Sequence, residues 1–207
     1  MYDLALFVHL LGVALLIAAV TTALVATLRA QTASTVQELR AVTAVTRKID
    51  VVIGPAMLLI LAGGLYMVAR GGDDGGISWT SGWVIVALVI FAVMSALGPV
   101  FEAGHAKRLL AAAGQTPDGP VPAELDRLRR NPTALYVSFF GASQILAFLY
   151  LMTNKPGLAG SLVACAIAAV VSAVAASRRL RSLSSRPSGP TSTVSGAHVD
   201  PGVAPTA

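Results

Sequence analysis

Charged residues and cysteine are both scarce in this chain. Asp, Glu, Lys and Arg make up 12% of its 207 residues, about half the usual share for a soluble domain, whereas apolar residues make up 55%. A soluble protein of this length could not bury so much apolar surface behind so few charges, so the composition favours a membrane protein. The single cysteine, Cys165, excludes an internal disulfide and a cysteine-based metal cluster.

Sequence signatures of soluble enzymes and of nucleic-acid-binding domains are also missing. The chain contains no Walker loop, dinucleotide fingerprint, nucleophile elbow or metalloprotease motif. Its net charge of +5 comes from basic residues that flank apolar runs, not from a basic stretch interleaved with aromatic residues. We therefore expect no nucleic-acid partner and no cofactor, and the sequence favours a protein without catalytic chemistry of its own.

Five apolar runs are long enough to cross a bilayer as helices, which takes about 20 residues each. A single strand would leave its backbone amides and carbonyls unpaired in lipid, so each run is predicted to be helical. The predicted fold class is all-α, a polytopic transmembrane bundle that forms one domain over residues 1–181. The predicted spans are 4–28, 51–69, 83–101, 133–153 and 158–176.

The basic residues predict the orientation of these spans. Only Arg70 and Lys155 fall on one side, and the other thirteen of the fifteen fall on the opposite side. The positive-inside rule then predicts an outer N-terminus and a cytoplasmic C-terminus, in the plasma (inner) membrane of a bacterium. The thirteen are Arg29, Arg40, Arg47, Lys48, Lys107, Arg108, Arg127, Arg129, Arg130, Arg178, Arg179, Arg181 and Arg186.

The segments between the spans carry helix and loop signals. Residues 30–48 are predicted to form a helix that leads into span 2. Ser34 precedes Gln37 and Thr35 precedes Glu38, and each pair is a possible capping box. Span 3 is predicted to continue as a helix to Ala113, and residues 123–130 to form a short charged helix. The glycine-rich loop 71–76 is predicted to be flexible, and residues 182–207, rich in Ser, Pro, Thr and Gly, to be a disordered cytoplasmic tail.

His9 is the histidine that lies inside a predicted span, about 7–8 Å below the outer boundary at 1.5 Å per residue. An ionisable group at this depth is costly, which makes it a candidate cofactor or metal ligand. The alternative is a neutral imidazole hydrogen-bonded to another helix. Tyr66 and Tyr150 lie within about one turn of its depth and are the expected partners.

A cofactor site at His9 would need further ligands from other spans. His105 follows span 3 at the far end of the bundle, too distant for a bis-histidine haem site. Met67 and Met152 lie near the outer ends of spans 2 and 4, so a His/Met site remains geometrically open. We expect no metal site on this basis, because methionines near an interface are common packing residues.

Two further features concern the interior of the bundle. Gln144 lies near the middle of span 4, where an amide either bonds to another helix or lines a polar pathway. Gly54-Pro55 and Gly98-Pro99 are expected to distort spans 2 and 3 at similar depth. Paired broken helices of this kind occur in transporters, which leaves a permease open.

Span 5 carries a face of small residues. Gly160, Ala164 and Ala168 begin a column with i, i+4 spacing, and Ser161 and Cys165 begin the next. Such a face lets another helix approach closely. The partner is expected to be another span or a second copy of the protein, which would make a homo-oligomer through this span.

Several short motifs resemble a bacterial integral-membrane family catalogued as domain of unknown function 2269. They are Phe7–Gly12 in span 1, Gly54-Pro55 and Ala62–Tyr66 in span 2, and Tyr150–Pro156 at the end of span 4. The resemblance covers about residues 1–156 and implies a four-helix membrane core, to which span 5 is added. It implies no activity. The His-x-x-Gly start of span 1 also resembles copper-resistance CopD-type membrane proteins, which carry further histidines in their spans.

Three functions follow from these features. The first is a non-catalytic accessory or oligomeric subunit, whose partners are the lipid bilayer and another membrane protein. The second is a small-solute or ion permease that uses Gln144 and the distorted spans. The third is a haem- or copper-binding redox protein that uses His9.

Overall fold

The computed structural model describes residues 1–71 and 76–184. Residues 72–75 and 185–207 lie outside this part, and with them most of the loop and the tail that were predicted to be flexible. Residues 182–184 are described, and they continue the last helix to Ser184. The predicted boundary between the domain and the tail, at residues 181 and 182, stays a prediction.

The described residues form helices and contain no named strand. An isolated backbone bridge joins Thr35 to Pro120. The helices are α1 (Tyr2–Ala30), α2 (Val36–Ala69), α3 (Gly82–Leu97), a π-helical segment (Gly98–Ala103), α4 (Gly104–Gln115), α5 (Ala123–Arg129), α6 (Pro132–Asn154) and α7 (Leu158–Ser184).

Five helical stretches are long and apolar enough to cross a membrane, as the sequence predicted. They contain the five predicted apolar runs, and each extends beyond its run at one end or both. The stretches are Tyr2–Ala30, Val36–Ala69, Gly82–Gln115, Ala123–Asn154 and Leu158–Ser184. We call the end of the bundle where α1, α3 and α7 begin the His9 end, and the opposite end the arginine-rich end.

The longest helix contact joins α1 and α2, which run antiparallel. Glycine residues on both helices allow the two backbones to approach closely. A Cβ atom at Gly12 would lie 2.8 Å from the carbonyl oxygen of Ala56, and one at Gly63 would lie 2.7 Å from that of Ala5. The glycine in His-x-x-Gly therefore accommodates the backbone of a neighbouring helix.

The helix that leads into span 2 is continuous with it, but it begins at Val36, six residues after the predicted start. Of the two candidate capping boxes, the structure forms the one at Thr35 and Glu38. The Thr35 hydroxyl accepts a hydrogen bond from the backbone amide of Glu38 (3.2 Å). The Glu38 carboxylate accepts one from the backbone amide of Ser34 (2.8 Å). The first bond caps the helix, and the second satisfies the amide of Ser34, the residue before the N-cap.

The Gly98-Pro99 pair marks a change of helix type. Pro99 has no amide hydrogen, so the bond from residue 99 to the carbonyl of Ser95 cannot form. The chain passes through the π-helical segment Gly98–Ala103 and then resumes as α4. Span 3 therefore continues as a helix through the predicted end at Ala113 to Gln115.

The small-residue face of α7 packs inside the chain, against α6 and α3. Cys165 is buried there with Ala147 and Leu151 of α6, and Ala164 and Ala168 pack against the same cluster. The outward face of α7 instead presents Leu, Val and Ile. The partner of the small face is thus another span, and the predicted homo-oligomer, which stays a prediction, would have to use the outward face.

Replacing Ala168 by leucine is expected to disturb this packing, while Val170→Leu is expected to be neutral. Ala168 contacts the buried cluster, whereas Val170 is 63% exposed. Extra methyl groups in a packed helix contact cost about 1–3 kcal/mol. Thermal unfolding of the detergent-purified variants measures the difference. Equal melting temperatures for both would contradict tight packing of this face.

Side chains from α2, α4 and α5 form a second apolar cluster at the arginine-rich end. Val36 and Leu39 from α2, Leu109 from α4 and Leu125 from α5 are all buried in it. The segments between the spans are therefore a packed layer and not loose connections.

Four arginines stabilise the packed layer at the arginine-rich end by donating hydrogen bonds to backbone carbonyls near the ends of α1, α4 and α7. Carbonyls in the last turn of a helix have no partner within it, and a cation there also matches the helix dipole. The contacts join Arg40 to Ala113 (2.8 Å), Arg129 to Ala30 (3.2 Å), Arg130 to Leu183 (3.3 Å) and Arg179 to Leu28 (3.4 Å).

Candidate functional site

A cavity of about 410 Å³ lies at the His9 end, between α1, α2, α3 and α6. Its wall is almost entirely aliphatic and aromatic, with Trp83 and Phe91 from α3 and Phe148 from α6. The polar residues of the described wall are few: His9, Tyr2, Thr153 and Lys155. The composition fits a ligand with an apolar body and a small number of polar contacts.

His9 is 3% exposed and forms part of this wall. Its Nδ1 atom donates a hydrogen bond to the carbonyl oxygen of Ile60 in α2 (2.8 Å). Its Nε2 atom lies 3.2 Å from the sulfur of Met152 in α6. The absence of a side chain at Gly64 leaves room for the imidazole, because a Cβ atom there would lie 3.3 Å from Nδ1. The ring is thus held between three helices.

The Ile60 bond determines where the imidazole hydrogen lies. A carbonyl oxygen can only accept, so Nδ1 carries the hydrogen. In the neutral ring Nε2 then has a free lone pair, and this lone pair faces the thioether sulfur, which carries no hydrogen. The orientation is the one that backbone carbonyls impose on metal-binding histidines.

The predicted tyrosine partners of His9 were wrong. Tyr150 is 46% exposed, and the Tyr66 ring lies under the guanidinium of Arg70, 5.4 Å from it. Counting residues gave the correct depth but not the direction around the helix. Successive helical residues are about 100° apart, so residues two positions apart point to nearly opposite sides. Met152 faces His9, and Tyr150 therefore faces away.

The other residues that the sequence singled out do not join this site. Gln144 is 1% exposed, and its Nε2 donates to the carbonyl oxygen of Cys165 in α7 (3.2 Å). Its Oε1 has no hydrogen-bond partner in the described structure. Gly160, Ala164 and Ala168 lie on α7, outside the cavity wall. Gln144 thus follows the first of its two predicted roles, a bond to another helix.

A smaller cavity of about 50 Å³, with both polar and apolar residues in its wall, lies at the arginine-rich end. Glu102 and His105 line it, and the Ser138 hydroxyl of α6 donates to the Glu102 carboxylate (2.7 Å). Arg129 closes one side. A volume of this size accommodates a few water molecules, so the cavity suits hydration of these groups and not a larger ligand.

These features define a polytopic α-helical integral membrane protein with an apolar cavity among its spans. The family described as "Predicted integral membrane protein (DUF2269)" matches residues 3–156, well over half of the chain. The chain belongs to this family, as its motifs predicted. The match covers α1 to α6 and leaves out α7. No curated protein and no solved structure matches the chain.

Proposed function

We propose that the protein is a non-catalytic membrane subunit that binds an amphiphile, with an apolar body and an anionic head, in the cavity at the His9 end. The observation that carries this proposal is the cavity itself. Its volume of about 410 Å³ lies in the range of small-molecule sites, and its wall is apolar apart from four polar residues. Such a wall favours a ligand that reaches it from the bilayer.

The polar residues of the wall are arranged to suit an anionic head. Thr153 and Lys155 lie where α6 ends, and both are exposed. Lys155 adopts a left-handed backbone conformation (φ 45°), which usually favours glycine at a helix end. A lysine at this position costs about 1 kcal/mol in backbone strain, which is consistent with a role for its side chain.

The proposal predicts saturable quenching of Trp83 by a brominated fatty acid. Trp83 lines the cavity, and Trp79→Phe leaves it as the single tryptophan of the chain. Val13→Phe fills part of the cavity and is expected to lower the affinity at least tenfold. Lys155→Gln is expected to weaken binding of the acid several-fold but not of the matching brominated alcohol. The measurement is a fluorescence titration in nanodiscs, where quenching by the bulk bilayer rises without saturating.

Val25→Phe is the matched control, because Val25 lies on the same helix, outside the cavity wall, and is 51% exposed. Its titration curve is expected to follow that of the Trp79→Phe parent. Quenching that never saturates, or that Val13→Phe leaves unchanged, would contradict a ligand site in the cavity.

A permease for polar solutes is the alternative function. Gln144 would have lined its pathway, but its amide nitrogen bonds to α7 and its side chain lies outside the walls of both cavities. The cavity at the His9 end offers a polar solute few partners. A binding function therefore has more support from the described residues than transport does.

We further propose that the His9 end faces outward from the plasma membrane of a bacterial cell. The clustering of thirteen basic residues on the opposite side supports this orientation. A reporter fused after Arg186 is then expected to be active only if it is of the type that works in the cytoplasm. Activity of a periplasmic-type reporter at that position would contradict the orientation.

A further inference from the structure

Two atoms with lone pairs face each other in the wall of the cavity at the His9 end. His9 Nδ1 donates to Ile60 O (2.8 Å), so Nε2 of the neutral ring is unprotonated. The nearest polar partner of Nε2 is the sulfur of Met152 at 3.2 Å, which also has no hydrogen to donate. Neither atom can therefore donate a hydrogen bond to the other.

One soft cation would satisfy both atoms. Imidazole nitrogen and thioether sulfur are ligands that together select Cu(I), and Ag(I) shares this preference. With bond lengths of about 2.0 Å to nitrogen and 2.3 Å to sulfur, a separation of 3.2 Å corresponds to a ligand angle of roughly 95° at the ion. That angle lies within the range of ligand–metal–ligand angles found in three- and four-coordinate sites.

The same separation does not suit haem. Two axial ligands lie on opposite sides of the iron, so their donor atoms are separated by the sum of the two bonds, about 4.3 Å. His9 and Met152 are closer than that. The ring of His9 is also held by Ile60 O and bordered by Gly64, which leaves it little freedom to move away.

We propose that His9 Nε2 and Met152 Sδ form a Cu(I) site at the His9 end of the bundle. Met67, which lines the same cavity, is the candidate for a third ligand. In the described residues no group of three or more His, Cys, Asp and Glu side chains could hold a metal, so harder ions such as Zn²⁺ lack a comparable site there. The site does not depend on binding of the amphiphile.

The test is metal binding by the full-length protein in nanodiscs. The protein is incubated anaerobically with Cu(I) and ascorbate, or with Ag(I) alone, and bound metal is counted by mass spectrometry in the presence of a competing chelator. One ion per chain is expected. Met152→Leu preserves side-chain volume and is expected to lower the affinity at least tenfold, and His9→Phe is expected to abolish binding. X-ray absorption of the copper-loaded protein should show one nitrogen near 2.0 Å and sulfur near 2.3 Å.

Two variants control for the other soft side chains. Met57 lies on α2 with Met67 but outside the walls of both cavities, so Met57→Leu is expected to bind like the native protein. Cys165→Ala is expected to do the same. Binding that disappears with Cys165, or that survives in both His9→Phe and Met152→Leu, would overturn the site, and so would a native protein that binds no ion. Failure of this test would leave the fatty-acid titration unaffected.

Discussion

Replacing Gly12 by alanine is expected to destabilise the bundle by about 1–3 kcal/mol, because the new methyl group has no space. It would lie 2.8 Å from the backbone oxygen of Ala56 and from the backbone nitrogen of Ile60. Backbone atoms of a neighbouring helix cannot rotate away as a flexible side chain can. The two helices would have to separate, and Ile60, which holds His9, would move with them. Thermal unfolding of the purified variant measures the loss.

Gly54→Ala provides the control for this prediction. Gly54 lies on α2, the helix against which Gly12 of α1 packs, but a Cβ atom at Gly54 would meet nothing within 4 Å. Its replacement is expected to be neutral or to stabilise the helix by up to about 1 kcal/mol. If Gly12→Ala and Gly54→Ala unfolded at the same temperature, the close approach of α1 and α2 would be refuted.

Replacing Arg129 by alanine is expected to cost about 2–3 kcal/mol. Arg129 is 8% exposed, and its guanidinium donates to Asp126 (2.7 Å) and to the carbonyl oxygens of Ala30 and Ala33. Removing it leaves these carbonyls without a charged donor at the end of α1. Limited proteolysis between α1 and α2 should become faster, and the melting temperature should fall.

Arg127→Ala is the matched control, because Arg127 lies on the same short helix and is exposed. Both variants lose one positive charge from the same segment, so a change in membrane orientation would affect both equally. Only the Arg129 variant is expected to lose stability. Arg129→Lys restores the charge but not the fork of donors, and is expected to recover only part of the loss.

The all-α class and the five candidate spans were predictable because both depend on composition and length. The continuation of span 3 and the short helix α5 were predictable from local signals. The cap of α2 was predictable only as one of two candidate boxes, of which Thr35 and Glu38 form the observed one. A bond between Gln144 and another helix was one of two expectations, since a buried amide has few other partners.

The residues that contact His9 were not predictable in the same way. Its depth followed from counting residues, and this drew attention to Met152 but also to Tyr150. Which of the two faces His9 depends on the rotation of α6, and that rotation is determined by packing against α7 and α1. The role of the arginines was missed for a related reason. The charge pattern accounts for Arg129 and Arg127 alike, whereas only the fold distinguishes the buried one from the exposed one.

The π-helical segment Gly98–Ala103 affects how this chain tolerates changes in length. A π turn holds one more residue than an α turn, so the segment absorbs an extra residue without rotating the helices on either side of it. In an uninterrupted α-helix the same insertion would turn everything beyond it by about 100°. The two halves of span 3 can therefore face different neighbours. Residues of α3 line the cavity at the His9 end, whereas Leu109 of α4 packs in the apolar cluster at the arginine-rich end. A change of one residue in the length of this segment can therefore leave both faces in place.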